Sequence, residues 1–111
     1  MAHRVQPAYI QTVRNVTASR LVDTDYINGT GKTLYVNIEV VLHITSTPAS
    51  LFFIPVVDGA DTGLWGVDAC TASMDMFGTV IIFVKPGSTY RLNKWEVAGG
   101  TIRFQNWIES Y

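Results

Sequence analysis

The chain has 111 residues, 48% hydrophobic and 15% charged, with a formal net charge of −1. That length suits one domain with its own core, and the composition excludes a disordered chain. The near-neutral charge gives no footprint for nucleic acid or an anionic membrane, and one cysteine (Cys70) with two histidines allows no intrachain disulfide and makes a zinc site a poor expectation.

The opening "MAHRVQPAY" lacks the apolar stretch of a secretory signal. Residues 1–11 are expected to form an extended N-terminal arm on a single domain spanning 1–111. "TVRNVTA" (Thr12 to Ala18) reads as a short strand. "DTD" (Asp23, Asp25) follows; its spacing matches no calcium loop, and aspartate is an ordinary turn residue.

"YINGTGKT" contains Gly-Thr-Gly-Lys-Thr, the ending of a phosphate-binding loop. A P-loop needs G-x-x-x-x-G-K-[ST] between a strand and a helix. Five positions before Gly31 stands Tyr26, and after Thr33 the pattern is that of a strand. Both requirements fail. Asn28-Gly29 and Gly31 tolerate positive φ, so a tight turn launching a strand is expected, with positive φ at one or more of these positions. Lys32 and Thr33 fall at the exposed start of that strand.

"LYVNIEVVLHI" places Leu34, Val36, Ile38, Val40, Leu42 and Ile44 on one face. An unbroken apolar face at alternate positions is the mark of a strand with one side on a core. "LFFIPVV" (Leu51 to Val57) is another strand, and Pro55, which lacks a ladder donor, suggests an edge or a bulge there. "VDGADTG" is a turn region, followed by the strand "LWGVDAC" (Leu64 to Cys70). Asp58, Asp61 and Trp65 form the candidate ligand-binding group, with the indole as a sugar-stacking surface. Cys70 and His43 could be drawn as a nucleophile pair, but no third residue is indicated to orient them.

"CTASMDMF" has room for one helical turn at most, before the strand "TVIIFV" (Thr79 to Val84). After the turn "KPGS" come "YRLNKWEV" (Tyr90 to Val97) and, beyond "AGG", "TIRFQNWIE". Alternation in the last segment sets Ile102, Phe104 and Ile108 on one face, and Thr101, Arg103, Gln105, Trp107 and Glu109 on the other. Trp107 is thereby expected outside the core, and Trp95, Trp107 and Tyr111 are the candidate oligomer interface. The apolar runs fall far short of the roughly 20 residues of a membrane span, so no membrane insertion is expected. No catalytic residue, metal or cofactor is indicated.

Short strands separated by Gly/Pro turns predict an all-β fold: a single antiparallel β-sandwich, jelly-roll-like, of about seven or eight strands. Its core is expected to hold Leu34, Val36, Ile38, Val40, Leu42, Val80, Ile82, Ile102 and Phe104.

In order, these elements resemble the small β-sandwich domains of bacteriophage tail-fibre and tail-tip proteins. The pattern "Y-x-N-x-[ST]-G-[KR]-x-hydrophobic-x-V", preceded by an arginine segment, is matched by Tyr26, Asn28, Thr30, Gly31, Lys32, Leu34 and Val36. "VVDG" (Val56 to Gly59), "FVKPGSTYRL" (Phe83 to Leu92) and the closing "NWIESY" are similar to further elements, the last to a terminal "W-x-E". The resemblance covers the chain roughly from Arg14 onward. It implies a non-enzymatic virion structural protein, a trimeric homo-oligomer that meets other virion proteins and the glycans of a bacterial surface. Such domains commonly follow a long shaft, which this sequence lacks. An excised domain, a separate small virion subunit and a capsid decoration protein are therefore alternatives, and a carbohydrate-binding module is another.

Overall fold

The computed structural model describes residues 11–111. The arm expected over residues 1–11 lies, except for Gln11, outside the described residues. Nine strands follow in order: β1 (Val13–Asn15), β2 (Tyr26–Ile27), β3 (Leu34–Ile44), β4 (Ala49–Val57), β5 (Ala60–Asp61), β6 (Trp65–Cys70), β7 (Asp75–Val84), β8 (Thr89–Ala98) and β9 (Gly100–Ser110). A 3-10 turn, Thr17–Ser19, takes the place of the end of the first predicted strand.

The strands form two antiparallel sheets. One has the order β1-β9-β3-β7, the other β2-β8-β4-β5, with β6 also paired to β4. The pairs β1·β9, β2·β8, β3·β7 and β4·β6 make one long antiparallel ribbon. Rolling that ribbon up brings β9 beside β3 and β8 beside β4. This is the jelly roll, the double Greek-key sandwich, and it bears out the all-β sandwich expected from the turn spacing.

The core lies between the sheets. Leu34, Val36, Ile38, Val40, Leu42 and Ile44 of β3 are all buried, as their alternation requires. Leu51 and Phe53 of β4, Val80, Ile82 and Val84 of β7, Tyr90 and Leu92 of β8 and Ile102 of β9 meet them. Phe104 is partly buried against this cluster.

Two expectations need correction. β4 is central rather than an edge strand, and it is bulged, but at Ser50/Leu51 and not at Pro55. The Asp58 N–H donates to Thr89 O at 3.0 Å, so even-numbered residues of β4 turn their N–H groups to β8 and Pro55 turns its nitrogen the other way. There β6 pairs only as far as Phe53 and β5 begins at Val56. The missing donor therefore falls in a gap between two partners, where the Pro55 carbonyl accepts from Thr62 N at 2.8 Å.

Trp107 is the second correction. It is fully buried (0% exposed) and belongs to the core. Pairing of β9 with β3 slips by one between Glu39↔Asn106 and Val40↔Phe104, leaving Gln105 as the extra residue of a β-bulge. One extra residue inverts alternation beyond it. Ile102 and Phe104 face inward before the bulge; Trp107 and Glu109, rather than Ile108, face inward after it.

Candidate functional site

The Gly-Thr-Gly-Lys-Thr turn is held from within. Asn28 is buried, and its side-chain amide donates to Lys32 O at 2.8 Å and Val84 O at 2.9 Å. Its Oδ1 accepts from the Thr30 N–H at 3.1 Å and the Thr30 hydroxyl at 2.7 Å. Gly31 has φ +75°, the positive value expected of this turn. Lys32 is exposed at its rim. The segment ties β2, β3 and the β7–β8 loop together.

The bulge delivers a charged group to the interior. Glu109 is fully buried, and its Oε1 accepts from Arg14 Nε at 3.0 Å, Arg14 Nη2 at 2.7 Å and Arg20 Nη2 at 3.0 Å. Its Oε2 accepts from the Tyr90 hydroxyl at 2.5 Å and the Trp107 indole at 3.1 Å. Burial alone would raise the carboxyl's pKa, but the hydrogen bonds from Tyr90, Arg14 and Arg20 outweigh it and hold the value below the ordinary range. Burial and the same bond push the Tyr90 hydroxyl up to about 12. The Arg20 guanidinium lies 4.4 Å from the centre of the Tyr26 ring, and Arg14 lies 5.0 Å from that of Tyr111. With every oxygen of the carboxylate occupied by protein donors, the cluster is a clasp fastening the N-terminal segment to β9.

The surface differs from the interior in what it leaves open. In the first sheet, odd-numbered residues of β7 face outward, and Phe77 (67%), Ile81 (47%) and Phe83 (66%) are exposed. Phe83 stands beside Tyr35 of β3, rings edge to face at 5.0 Å. Ile81 continues through Asn37 to Ile108, and Phe77 lies beside Val41. The exposed Val13 extends this apolar face across β1. On the second sheet, Trp95 is 57% exposed, with Phe52 at 5.9 Å between ring centres.

The predicted site residues are dispersed. Asp58, in the β4–β5 turn with φ +50°, accepts from Thr89 N at 2.9 Å and the Ser88 hydroxyl at 2.8 Å. Those bonds, backbone first, hold its pKa below the ordinary value. Asp61 is exposed on β5 opposite Val56. Trp65 is half-buried, its indole over Gly78, where an added Cβ would come within 2.1 Å of the ring. Asp58 is thus taken up by the β8 end and Trp65 by β7, and the three do not converge. Of the interface candidates, only Trp95 is exposed; Tyr111 packs partly against the core, and Trp107 has no surface to offer. His43 Nδ1 meets Asp75 Oδ1 at 2.5 Å, whereas Cys70 Sγ approaches Ala72 O at 3.6 Å, so these two engage different neighbours.

Sequence reasoning missed the outer face of β7. Its signal was present: "TVIIFV" is apolar at consecutive positions, as in a strand covered on both sides. No protein-family model and no curated protein sequence matches the chain.

Proposed function

We propose that the protein is a non-enzymatic structural module of a bacteriophage virion, of tail-fibre or tail-tip type, that assembles with copies of itself. One observation carries the assembly: the outer face of the β1-β9-β3-β7 sheet presents Phe77, Ile81, Phe83 and Val13 to solvent, around Tyr35 and Ile108. Ile81, Phe83 and Tyr35 are neighbours on this face, with Phe77 and Val13 set apart by Thr79 and Ser110, and an exposed apolar cluster of this kind favours a partner. The virion assignment is supported by two further features. Double-sheet jelly rolls are a recurrent architecture of viral coat domains. Residues on which the tail-fibre resemblance rests, Tyr26, Tyr90, Trp107 and Glu109, also converge with Arg20 on a single buried cluster. Side chains gathered from four separate segments have a shared structural reason to occur in that order.

Trp65, which motivated a sugar-stacking reading, lies against Gly78 and Phe53. That reading loses the residue it started from. Light scattering after size exclusion, at about 10 μM, tests the assembly. An oligomer mass is expected; a clean monomer at that concentration and tenfold above it contradicts the proposal.

A further inference from the structure

The edge of β7 shows which contact a second copy would make. β7 is the last strand of its sheet and runs for ten residues, with no register shift in its pairing to β3. The other outer strands are short or irregular. β1 has three residues, β2 and β5 two each, and β6 carries positive φ at Gly66 and Ala69. Proteins ordinarily blunt a long edge with lysine, proline, a bulge or an inward charge. Between Asp75 and Lys85 the sequence "MFGTVIIFV" has none of these. Among the described residues, no strand pairs with the outer side of β7.

The free edge has a defined hydrogen-bonding parity. Ile44 N–H donates to Met74 O at 3.0 Å, in step with the β3·β7 register. Even-numbered residues of β7 therefore turn their backbone groups to β3, and Phe77, Thr79, Ile81 and Phe83 turn theirs to the open side. An antiparallel copy can pair only in registers that join odd positions to odd positions.

One such register is also complementary in charge and shape. With Val80 of the two copies at a two-fold axis, Thr79 faces Ile81, Phe77 faces Phe83, and Asp75 faces Lys85, each pair occurring twice. The two charges that bracket the strand then meet their opposites, and the aromatics meet across the junction. Shifting by two residues either way breaks both matches at once.

We propose that two copies join edge to edge through β7 in this register, merging their four-stranded sheets into one continuous eight-stranded sheet. The contact is an isologous dimer, so larger assemblies grow from two-fold units, in place of the bare trimer that the tail-fibre resemblance implies. This rests on the reading that the protein self-associates and specifies where.

A charge exchange tests it. Sedimentation velocity is run on the full chain, on Asp75→Lys, on Lys85→Asp and on the double variant. Either single reversal sets like charges opposite each other twice and is expected to weaken the dimer about tenfold or more. The double variant restores opposite pairs and is expected to recover dimerisation. Lys85→Asp leaves the His43–Asp75 contact in place and so isolates the effect across the junction. If the chain associates and neither single variant weakens it, or the double fails to recover, the β7 contact is wrong while self-association stands. If the unaltered chain is monomeric throughout, self-association itself is wrong.

Discussion

Glu109 gathers both arginine ion pairs of the N-terminal segment and the buried hydroxyl of Tyr90. A fully buried carboxylate survives because two arginines, a tyrosine hydroxyl and an indole N–H share its oxygens. Glu109→Gln keeps the shape but removes the charge, leaving Arg14 and Arg20 without a counter-ion. A loss of about 3 kcal/mol is expected from urea unfolding at neutral pH, the scale of a broken buried ion pair. The pH dependence has a definite sign. Because the folded carboxyl lies below its ordinary 4.5, the unfolded chain takes the proton first. The carboxylate's contribution is complete above that pH and falls away as the pH drops through the folded value. Tyr90 acts at the other end: its proton is held to about 12 against an ordinary 10.0, so its contribution is full below pH 10 and declines towards 12. In Glu109→Gln the part of the acid limb due to this residue should be missing. An unchanged acid limb would show that the carboxylate does not set it.

At the scale of elements, alternation in β3 was legible for the six apolar residues at every second position, but not for Val41, which lies on the outward parity and is buried all the same. β9 was legible only up to Gln105. The bulge inverts the pattern, and no glycine or proline marks it within "RFQNWIE". Its cause lies in the partner: Trp107 and Glu109 reach the interior beside Tyr90 and Arg20 only if one residue is spare. Pro55 misled for a related reason, because the gap between β5 and β6 that accommodates it is a property of three strands together. Asp58, Asp61 and Trp65 are close in sequence yet held by different strands, so their proximity along the chain carried no site. Deleting Gln105 tests the role of the bulge. Without it, either Ile102 and Phe104 or Trp107 and Glu109 must turn to solvent. Thermal melts followed by circular dichroism should lose their cooperative transition. A sharp melt close to that of the unaltered chain would mean that β9 accommodates either register.

For the whole molecule, the jelly roll disposes of most exposed backbone by closing the ribbon on itself, with four short or irregular outer strands among the described residues. β7 is the exception, and its apolar outer face made it sticky in the sequence before its position made it an edge. A strand in the middle of a sheet can be apolar on both faces because other layers cover it. At an edge, a second copy supplies the missing ladder and sets Phe77 beside its Phe83, while the outer face of the merged sheet stays open. Where the proposed self-association is made therefore depends on whether that edge is occupied in solution.

Amide exchange at individual residues reads this directly. Hydrogen–deuterium exchange is carried out at about 100 μM and about 0.1 μM, either side of an expected micromolar equilibrium, and read residue by residue by mass spectrometry with electron-transfer fragmentation. The amides of Phe77, Thr79, Ile81 and Phe83 are expected to be protected only at the high concentration. Those of Gly78, Val80 and Ile82, bonded to β3, should be protected at both. Fast exchange of the odd-numbered amides at both concentrations, with an oligomer present, would contradict the β7 contact.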